Sequence, residues 1–331
     1  MPLQPPIDPA VQRLAVVTCV VALLPISIGA LVTTLKAGMA FADWPTSDGQ
    51  NMLLYPWLND LRHTDKFVEH GHRLAGVLIG LVSMALVAVT FTKEKTRWVR
   101  AGAVVILVAV IAQGLLGGLR VIRNEQVLAM THSITGGLFF TLCFLFAILV
   151  RMPERSGTEL ETDRKISPAA FAAGLLLPVA VLGQYFLGGM FRHLGRMLHE
   201  HVAGAIIVTL LAAIVLVALF RSDLSSIRRR GRWLASALVV QLSLGMGSWV
   251  TKLGFPTLGW VATANSPAQN IICSLHTVGG MFLLATASAG AMELIVRYRS
   301  GQLDELSGVF GSGSAGKTLT TDGQRTEGGL A

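Results

Sequence analysis

Residues 69–92 read EHGHRLAGVLIGLVSMALVAVTFT. After Arg73 this stretch carries no charged side chain, although it begins with a glutamate and two histidines. An apolar run of about 20 residues crosses the hydrocarbon layer of a bilayer as a helix, and a helix satisfies the backbone polar groups that lipid cannot. The stretch therefore predicts a transmembrane helix with titratable side chains at one end.

The rest of the chain repeats this pattern. Of the 331 residues 52% are apolar and 14% are charged, and the mean hydropathy is +0.60. The charged residues cluster between long apolar runs, which predicts an all-α integral membrane protein with about eight transmembrane helices. The runs are 14–35, 69–92, 99–119, 127–150, 168–190, 198–220, 233–253 and 269–296.

Lysine and arginine are distributed unevenly between the two sets of loops. One set, 93–100, 151–167, 221–232 and 297–299, holds fifteen of them, against eight in the other set. Positive residues favour the cytoplasmic side, so these loops and both termini are expected there. The first run is too long for a signal peptide, and no organellar presequence precedes it, which favours a bacterial plasma membrane. The net charge of +8 reflects this bias and indicates no nucleic-acid partner.

The motifs predict a tandem repeat of two four-helix bundles. His72-Arg-Leu-Ala-Gly76 in the second run returns as His201-Val-Ala-Gly204 in the sixth, and the His132 motif returns around His276. Membrane proteins of this kind build equivalent sites in both halves. The expected parts are a cytoplasmic N-terminal segment (1–13), an N-terminal half (14–150), a cytoplasmic linker (151–167), a C-terminal half (168–296) and a disordered cytoplasmic tail (297–331).

Four of the eight histidines lie near the same end of the even-numbered helices: His72, His132, His201 and His276. Each precedes a glycine by three or four residues on one helix face, which is expected to leave room for a flat imidazole ring. Two such helices can supply both axial ligands of a haem. The alternative, interfacial histidines beside packing glycines, explains one such residue better than four. The other histidines, His63, His70, His193 and His199, are interpreted as surface or interface residues.

Glu69 precedes His72 by three residues and shares its helix face. A carboxylate there could act as a base or stabilise positive charge on a substrate. Alternatively, it could complement the helix dipole near the N-terminus, and position alone does not decide between the two. In the second half Glu200 adjoins His201 and lies on a different face. This asymmetry favours one catalytic half and one half that carries a cofactor.

The ordered set of motifs over residues 14–296 resembles the heme A synthases, membrane enzymes that oxidise heme O to heme A for respiratory oxidases. The resemblance implies that Glu69 is catalytic and that the C8 methyl of heme O is oxidised through an alcohol to a formyl group. It implies that His72 and His132 line the substrate heme pocket, and that His201 and His276 ligate the iron of a resident haem b. The matching stretches are Gly29 to Val32, Ala37 to Pro45, Glu69-x-x-His72-Arg73, and the His132, His201 and His276 motifs.

The sequence departs from the family pattern at two places. Some members carry a cysteine pair in the first external loop, whereas 36–68 has no cysteine, so no thiol–disulfide chemistry is expected there. An arginine often follows the first histidine of each half, but Val202 stands at that position in the second half. Which of Arg192, Arg196 or Lys252 balances charge near His201 is left open. Segment 36–68 itself, rich in tryptophan and tyrosine, is expected to lie along the membrane surface.

The resemblance also implies partners. These are heme O with the heme O synthase that supplies it, a terminal oxidase or its assembly factors, and an electron acceptor of unknown identity; a homo-oligomer is compatible with the sequence. The main rival function is a non-catalytic di-haem b cytochrome that exchanges electrons with quinone, which would leave Glu69 without a role. A transporter ranks third, because the second and sixth helices show no break in the middle of the membrane.

Overall fold

The computed structural model describes residues 6–152 and 166–311, and within them the chain is all-α. All eight long helices have the length and apolar composition needed to cross a membrane, which confirms the predicted fold class. They are α1 (Pro9–Thr34), α2 (Thr64–Lys93), α3 (Arg97–Arg123), α4 (Gln126–Leu149), α5 (Pro168–Leu194), α6 (Leu198–Phe220), α7 (Ser225–Leu253) and α8 (Pro267–Gly311), with short 3₁₀ helices at Trp57–Arg62 and Pro256–Leu258.

The helices form two groups, α1–α4 and α5–α8, each with its own buried core. Connections of two to four residues join α2 to α3, α3 to α4, α5 to α6 and α6 to α7, which makes these sequence neighbours antiparallel. Asp8 and Ser167 cap α1 and α5 by accepting hydrogen bonds from the N–H groups of Ala10 (2.7 Å) and Ala170 (3.2 Å), and a proline follows each cap. Helix α8 also packs on α1 and α4, so it joins the two groups.

Several helices extend beyond the apolar runs. Helix α2 begins at Thr64 and α7 at Ser225, so the arginines at 228–232 are helical and not part of a loop as predicted. Hydropathy marks only the part of a helix that meets hydrocarbon, and arginine is a good helix former. Helix α8 continues to Gly311, so the expected disorder is wrong for 297–311, where Leu303, Leu306 and Phe310 follow helical spacing in the sequence. The predicted linker and tail otherwise fall largely on 153–165 and 312–331, outside the described residues.

Segment 35–63 folds over one end of the first group, which we call the loop end. The Phe41 side chain is fully buried, and the Trp44 ring lies against Gly118 of α3, where a β-carbon would collide with it. Further along, Leu54 is 80% exposed. The first part of the segment therefore closes the end of the bundle, and the second part presents apolar side chains outward. The sequence predicted only a position along the membrane surface.

Candidate functional site

The structure brings the four candidate histidines together in two pairs. The ring centres of His72 (α2) and His132 (α4) lie 6.1 Å apart with an angle of 87° between the ring planes. The ring centres of His201 (α6) and His276 (α8) lie 6.2 Å apart with an angle of 84°. Each half thus holds one pair, and the geometry is nearly the same in both.

These separations suit an iron between the two rings. A histidine nitrogen lies about 2.0 Å from a bound transition metal and roughly 1.1 Å from its own ring centre, so two opposed imidazoles would have centres about 6.2 Å apart. Both pairs match this spacing. Within the described residues no cluster of three or more His, Cys, Asp or Glu could hold a metal ion directly. A haem needs only two protein ligands, so the residues fit a haem better than a bare ion.

Glycines on the preceding helix accommodate the imidazole rings. A β-carbon on any of four glycines would come within 2.7–3.1 Å of Cε1 of the facing histidine, so a side chain there would displace the ring. The glycines expected from sequence to do this, on the histidine's own helix, face other groups: Gly204 and Gly279 adjoin glutamine side chains, and Gly76 faces open space. That expectation is wrong. The pairs are Gly29 with His72, Gly117 with His132, Gly188 with His201, and Gly245 with His276.

Backbone carbonyls on the same preceding helices orient two of the rings. Nδ1 of His72 lies 2.9 Å from the carbonyl oxygen of Pro25, and Nδ1 of His201 lies 3.1 Å from that of Gln184. A proton on Nδ1 that is donated to a carbonyl leaves the Nε2 lone pair free for a metal. In His132 and His276 Nδ1 is buried and has no hydrogen-bond partner among the described residues.

A cavity of about 690 Å³ lies beside the first pair, a volume typical of small-molecule and cofactor sites. It is bounded by α1–α4, by segment 35–63 and by parts of α5 and α8, whereas neither His201 nor His276 lines it. Its charged side chains lie toward the loop end. The titratable and basic residues in its wall are Lys36, Glu69, His72, Arg73, Arg120, Glu125, His132, Arg192 and His193.

Glu69 lies in the cavity wall and is only 3% exposed. Its Oε1 pairs with Nη2 of Arg73 at 2.8 Å, and its Oε2 accepts hydrogen bonds from the N–H groups of Ala40 (2.7 Å) and Phe41 (3.3 Å). Because α2 begins at Thr64, Glu69 lies beyond the first turn, where the dipole effect fades. The dipole interpretation therefore does not fit. The structure shows a role that the sequence did not predict: Glu69 binds the backbone of segment 35–63 and so holds that segment against the cavity.

Arg73 takes part in the same contacts. Its Nη1 donates to the carbonyl oxygens of Asp43 (3.0 Å) and Thr46 (2.8 Å), so this arginine holds the Asp-Trp-Pro turn. Asp43 accepts hydrogen bonds from the N–H groups of Asp48 (3.0 Å) and Gly49 (2.8 Å). Desolvation acts in the opposite direction, but these bonds and one from the Thr46 side chain prevail and lower the pKa of Asp43.

Arg192 bridges the two halves. Its Nη2 donates to the Ala30 carbonyl oxygen (2.6 Å) and to Oγ1 of Thr34 (2.7 Å) in α1. Its Nη1 donates to Oγ1 of Thr277 (2.6 Å) and to the Cys273 carbonyl oxygen (3.3 Å) in α8. Arg192 also lines the first cavity, so its guanidinium is committed to the interface between the halves.

The other two basic residues considered for charge balance near His201 make different contacts. Nζ of Lys252 lies 4.8 Å from the ring centre of Phe191, within the range of a cation–π interaction. The backbone N–H of Arg196 donates to the Met190 carbonyl oxygen at 3.4 Å, just after α5 ends. Of the three candidates, Arg192 is thus the one whose side chain bonds to α8, the helix that carries His276.

The four remaining histidines occupy different surroundings. The sequence predicts a surface or interface position for His193, but it lines the first cavity, and its Nε2 is buried without a partner among the described residues. His70 is buried under segment 35–63, with Nδ1 3.2 Å from Oγ of Ser47. His63 precedes α2, and His199 is exposed. The position of His193 in the cavity wall depends on how α5 packs against the first half, which the sequence does not show.

Comparison with known proteins identifies relatives. The COX15-CtaA family model, described as cytochrome oxidase assembly protein, matches residues 58–200. The chain is 30% identical to a heme A synthase of Symbiobacterium thermophilum over 56% of this chain and 60% of that protein. It is 29% identical to one of Rhodopseudomonas palustris, over 43% of this chain and 41% of that protein. It is 23% identical to one of an Exiguobacterium species, over 71% of this chain and 81% of that protein.

The position of the family match is informative. It includes Glu69, His72 and His132 and ends just before His201. The chain covers 60% and 41% of the length of the first two relatives. The comparisons therefore bear most directly on the first half, and the second histidine pair rests on its geometry.

Proposed function

We propose that the protein is a heme A synthase that oxidises the C8 methyl of heme O to a formyl group, and the match of residues 58–200 to the COX15-CtaA family model supports this. The observation that carries the proposal is the placement of Glu69 in the wall of the cavity that holds the His72–His132 pair. A cavity of this size beside two facing imidazoles accommodates a haem-sized substrate. A di-haem cytochrome needs the histidines but leaves this carboxylate and its loop without a role.

The two halves would then divide the work. His72 and His132 would hold the substrate heme O, and His201 and His276 would ligate the iron of a resident haem b. When bound, that haem supplies a redox centre near the site of oxidation. Conversion of a methyl group and one water to a formyl group releases four electrons and four protons. The electrons leave to an acceptor outside this chain.

The residues of the first half can serve this chemistry in distinct ways. Glu69 can accept a proton from the reacting group or stabilise positive charge that develops there. Arg73 holds one carboxylate oxygen at 2.8 Å and so orients the group. Segment 35–63 covers the loop end, which limits access of water and strengthens electrostatic effects inside.

The test is expression of the chain in a heme O-producing host that lacks its own heme A synthase. Extracted, acidified haem should contain heme A, and the matched His72→Ala/His132→Ala double variant should leave only heme O. Membranes that contain the wild-type protein and haem b but no heme A would instead support the cytochrome. A protein free of haem would remove both functions.

We also propose that the protein lies in the plasma membrane with its loop end outside and both termini in the cytoplasm. The excess of lysine and arginine in 93–100, 151–167 and 221–232 supports this orientation. Reporter fusions should show cytoplasmic activity after Arg230 and periplasmic or external activity within 36–63. A cytoplasmic reporter that is active at both positions would contradict the orientation.

A further inference from the structure

A second cavity of about 280 Å³ lies between α3 and α4. Its lining is almost wholly apolar, and Ala112 and Leu138 are exposed on the outside of the bundle. In a membrane this side meets lipid, so the space opens to hydrocarbon and not to water. We call it the α3–α4 crevice and define it by Ala109, Ala112, Gln113, Leu116, Leu138 and Phe139.

The crevice adjoins the reaction cavity. Gln113 and Phe139 line both spaces, so these two side chains form the partition between them. Gln113 is weakly held, because its Nε2 lies 3.5 Å from the His132 carbonyl oxygen and its Oε1 is buried without a partner among the described residues. The counterpart of Gln113 in the second half is Gln241 of α7, whose Oε1 is likewise buried without a partner among the described residues. A small movement of Gln113 would join the two spaces.

We propose that the α3–α4 crevice binds the isoprenoid chain of the substrate haem. This inference rests on the proposed function, since heme O differs from protohaem by a long farnesyl-derived side chain. The loop end of the reaction cavity is lined by basic groups such as Lys36 and Arg120, which suit the propionates and exclude an apolar chain. The apolar lining continues sideways through Phe139 to lipid, so the chain has a matching exit there.

The crevice would give the first half its specificity. A haem that carries the chain gains apolar burial between α3 and α4, whereas protohaem gains none. Substrate would therefore be favoured over the haem b that fits the other half. Because the chain fixes one edge of the macrocycle, it also helps to set which ring substituent lies near Glu69.

The test compares two haems and two matched variants. Ala112→Phe fills the crevice, and Leu115→Phe places the same ring one turn away on the exposed face of α3, outside both cavities. Purified proteins in nanodiscs are titrated with heme O and with protohaem. We expect wild type and Leu115→Phe to bind heme O more tightly, and Ala112→Phe to lose about tenfold in heme O affinity with protohaem binding unchanged.

Three outcomes would overturn the proposal. Equal loss of affinity for both haems would mean that Ala112→Phe disturbs the ring site. No change for either haem would mean that lipid fills the crevice. No preference for heme O in wild type would remove the need for a chain site. Ala109→Leu, a smaller enlargement of the crevice lining, provides a second variant, and the haem signal of the second half reports folding in each.

The same material separates this proposal from the function it rests on. A wild-type protein that prefers heme O but forms no heme A would refute the synthase activity and keep the crevice. A protein that forms heme A without preference for the chain would refute the crevice alone.

Discussion

The two histidine pairs have nearly the same geometry, but their surroundings differ. Around His72 and His132 lie a large cavity, a buried carboxylate and a closing loop. In the second half the carboxylate next to the pair, Glu200, is exposed to solvent. Both pairs have the spacing that a haem requires, and only the first pair is surrounded by the groups that the proposed chemistry uses.

The helices that carry the ring-facing glycines, α1, α3, α5 and α7, also differ between the two halves. Three of them place a glutamine four residues before the ring-facing glycine, whereas α1 has Pro25 there. Gln184 donates to the His201 carbonyl oxygen at 2.5 Å, while Gln113 reaches that of His132 only at 3.5 Å. The proposed substrate site thus has one such glutamine beside its histidines, whereas the proposed resident site has two.

The largest expected effect concerns the resident haem. His201→Ala and His276→Ala should each abolish the low-spin b-type spectrum, because a six-coordinate haem loses an axial ligand. His72→Ala and His132→Ala should retain that spectrum in purified protein. If all four variants lost it equally, the two halves would not divide the work as proposed.

Glu69→Gln should reduce heme A formation about 10²–10⁴-fold, the usual cost of removing a general base or a charge stabiliser. Gln keeps an acceptor for the loop but loses the ion pair with Arg73. The measurement is the ratio of heme O to heme A in membranes that contain equal amounts of protein.

Arg73→Gln is the matched control, since it breaks the same ion pair and leaves the carboxylate in place. It should cost much less activity than Glu69→Gln. Equal losses in the two variants would assign Glu69 to loop attachment and leave the histidines to act alone.

Gly188→Val should weaken haem binding in the second half about 10–100-fold, the scale seen when groups around a metal ligand are disturbed. Its β-carbon would lie 2.9 Å from Cε1 of His201 and displace the ring. Gly183→Ala, where nothing lies within 4 Å, is the control on the same helix. Titration of haem into the apoprotein measures both, and equal affinities would show that the glycine does not position the ring.

The smallest effect is confined to the loop of the first half. The pKa of Asp43 is lowered by its hydrogen bonds, so the stability that it contributes is present above the unfolded value of about 3.9. That stability is lost as pH falls through the lower folded pKa. Limited proteolysis of segment 36–63 should accelerate a few-fold below this range in wild type. Asp43→Asn should be cut faster at neutral pH and show a flatter pH profile.

Sequence reasoning recovered the features that depend on local pattern. Apolar runs revealed all eight helices, because hydrocarbon imposes one length and composition. They missed the first five residues of α2 and the first eight of α7, where polar residues continue a helix beyond the hydrocarbon. The motifs led to the histidine pairs that the structure brings together, while the roles of those pairs remain predictions.

Contacts between helices could not be predicted from the sequence. The glycines that face the rings lie on neighbouring helices, although the recurrent Gln-x-x-x-Gly spacing at Gln113, Gln184 and Gln241 was a visible signal of one helical turn. The second role of Glu69 depends on where Ala40 and Phe41 come to rest. Arg192 and His193 reach the first half only through the docking of α5.

Arg192 has a consequence for biogenesis. Its guanidinium, on α5, donates hydrogen bonds to α1 and α8, the first and the last of the eight described helices in chain order. Until α8 arrives, some of its donors must find water or lipid headgroups. The full set of hydrogen bonds at Arg192 can therefore form only after α8 has been synthesised.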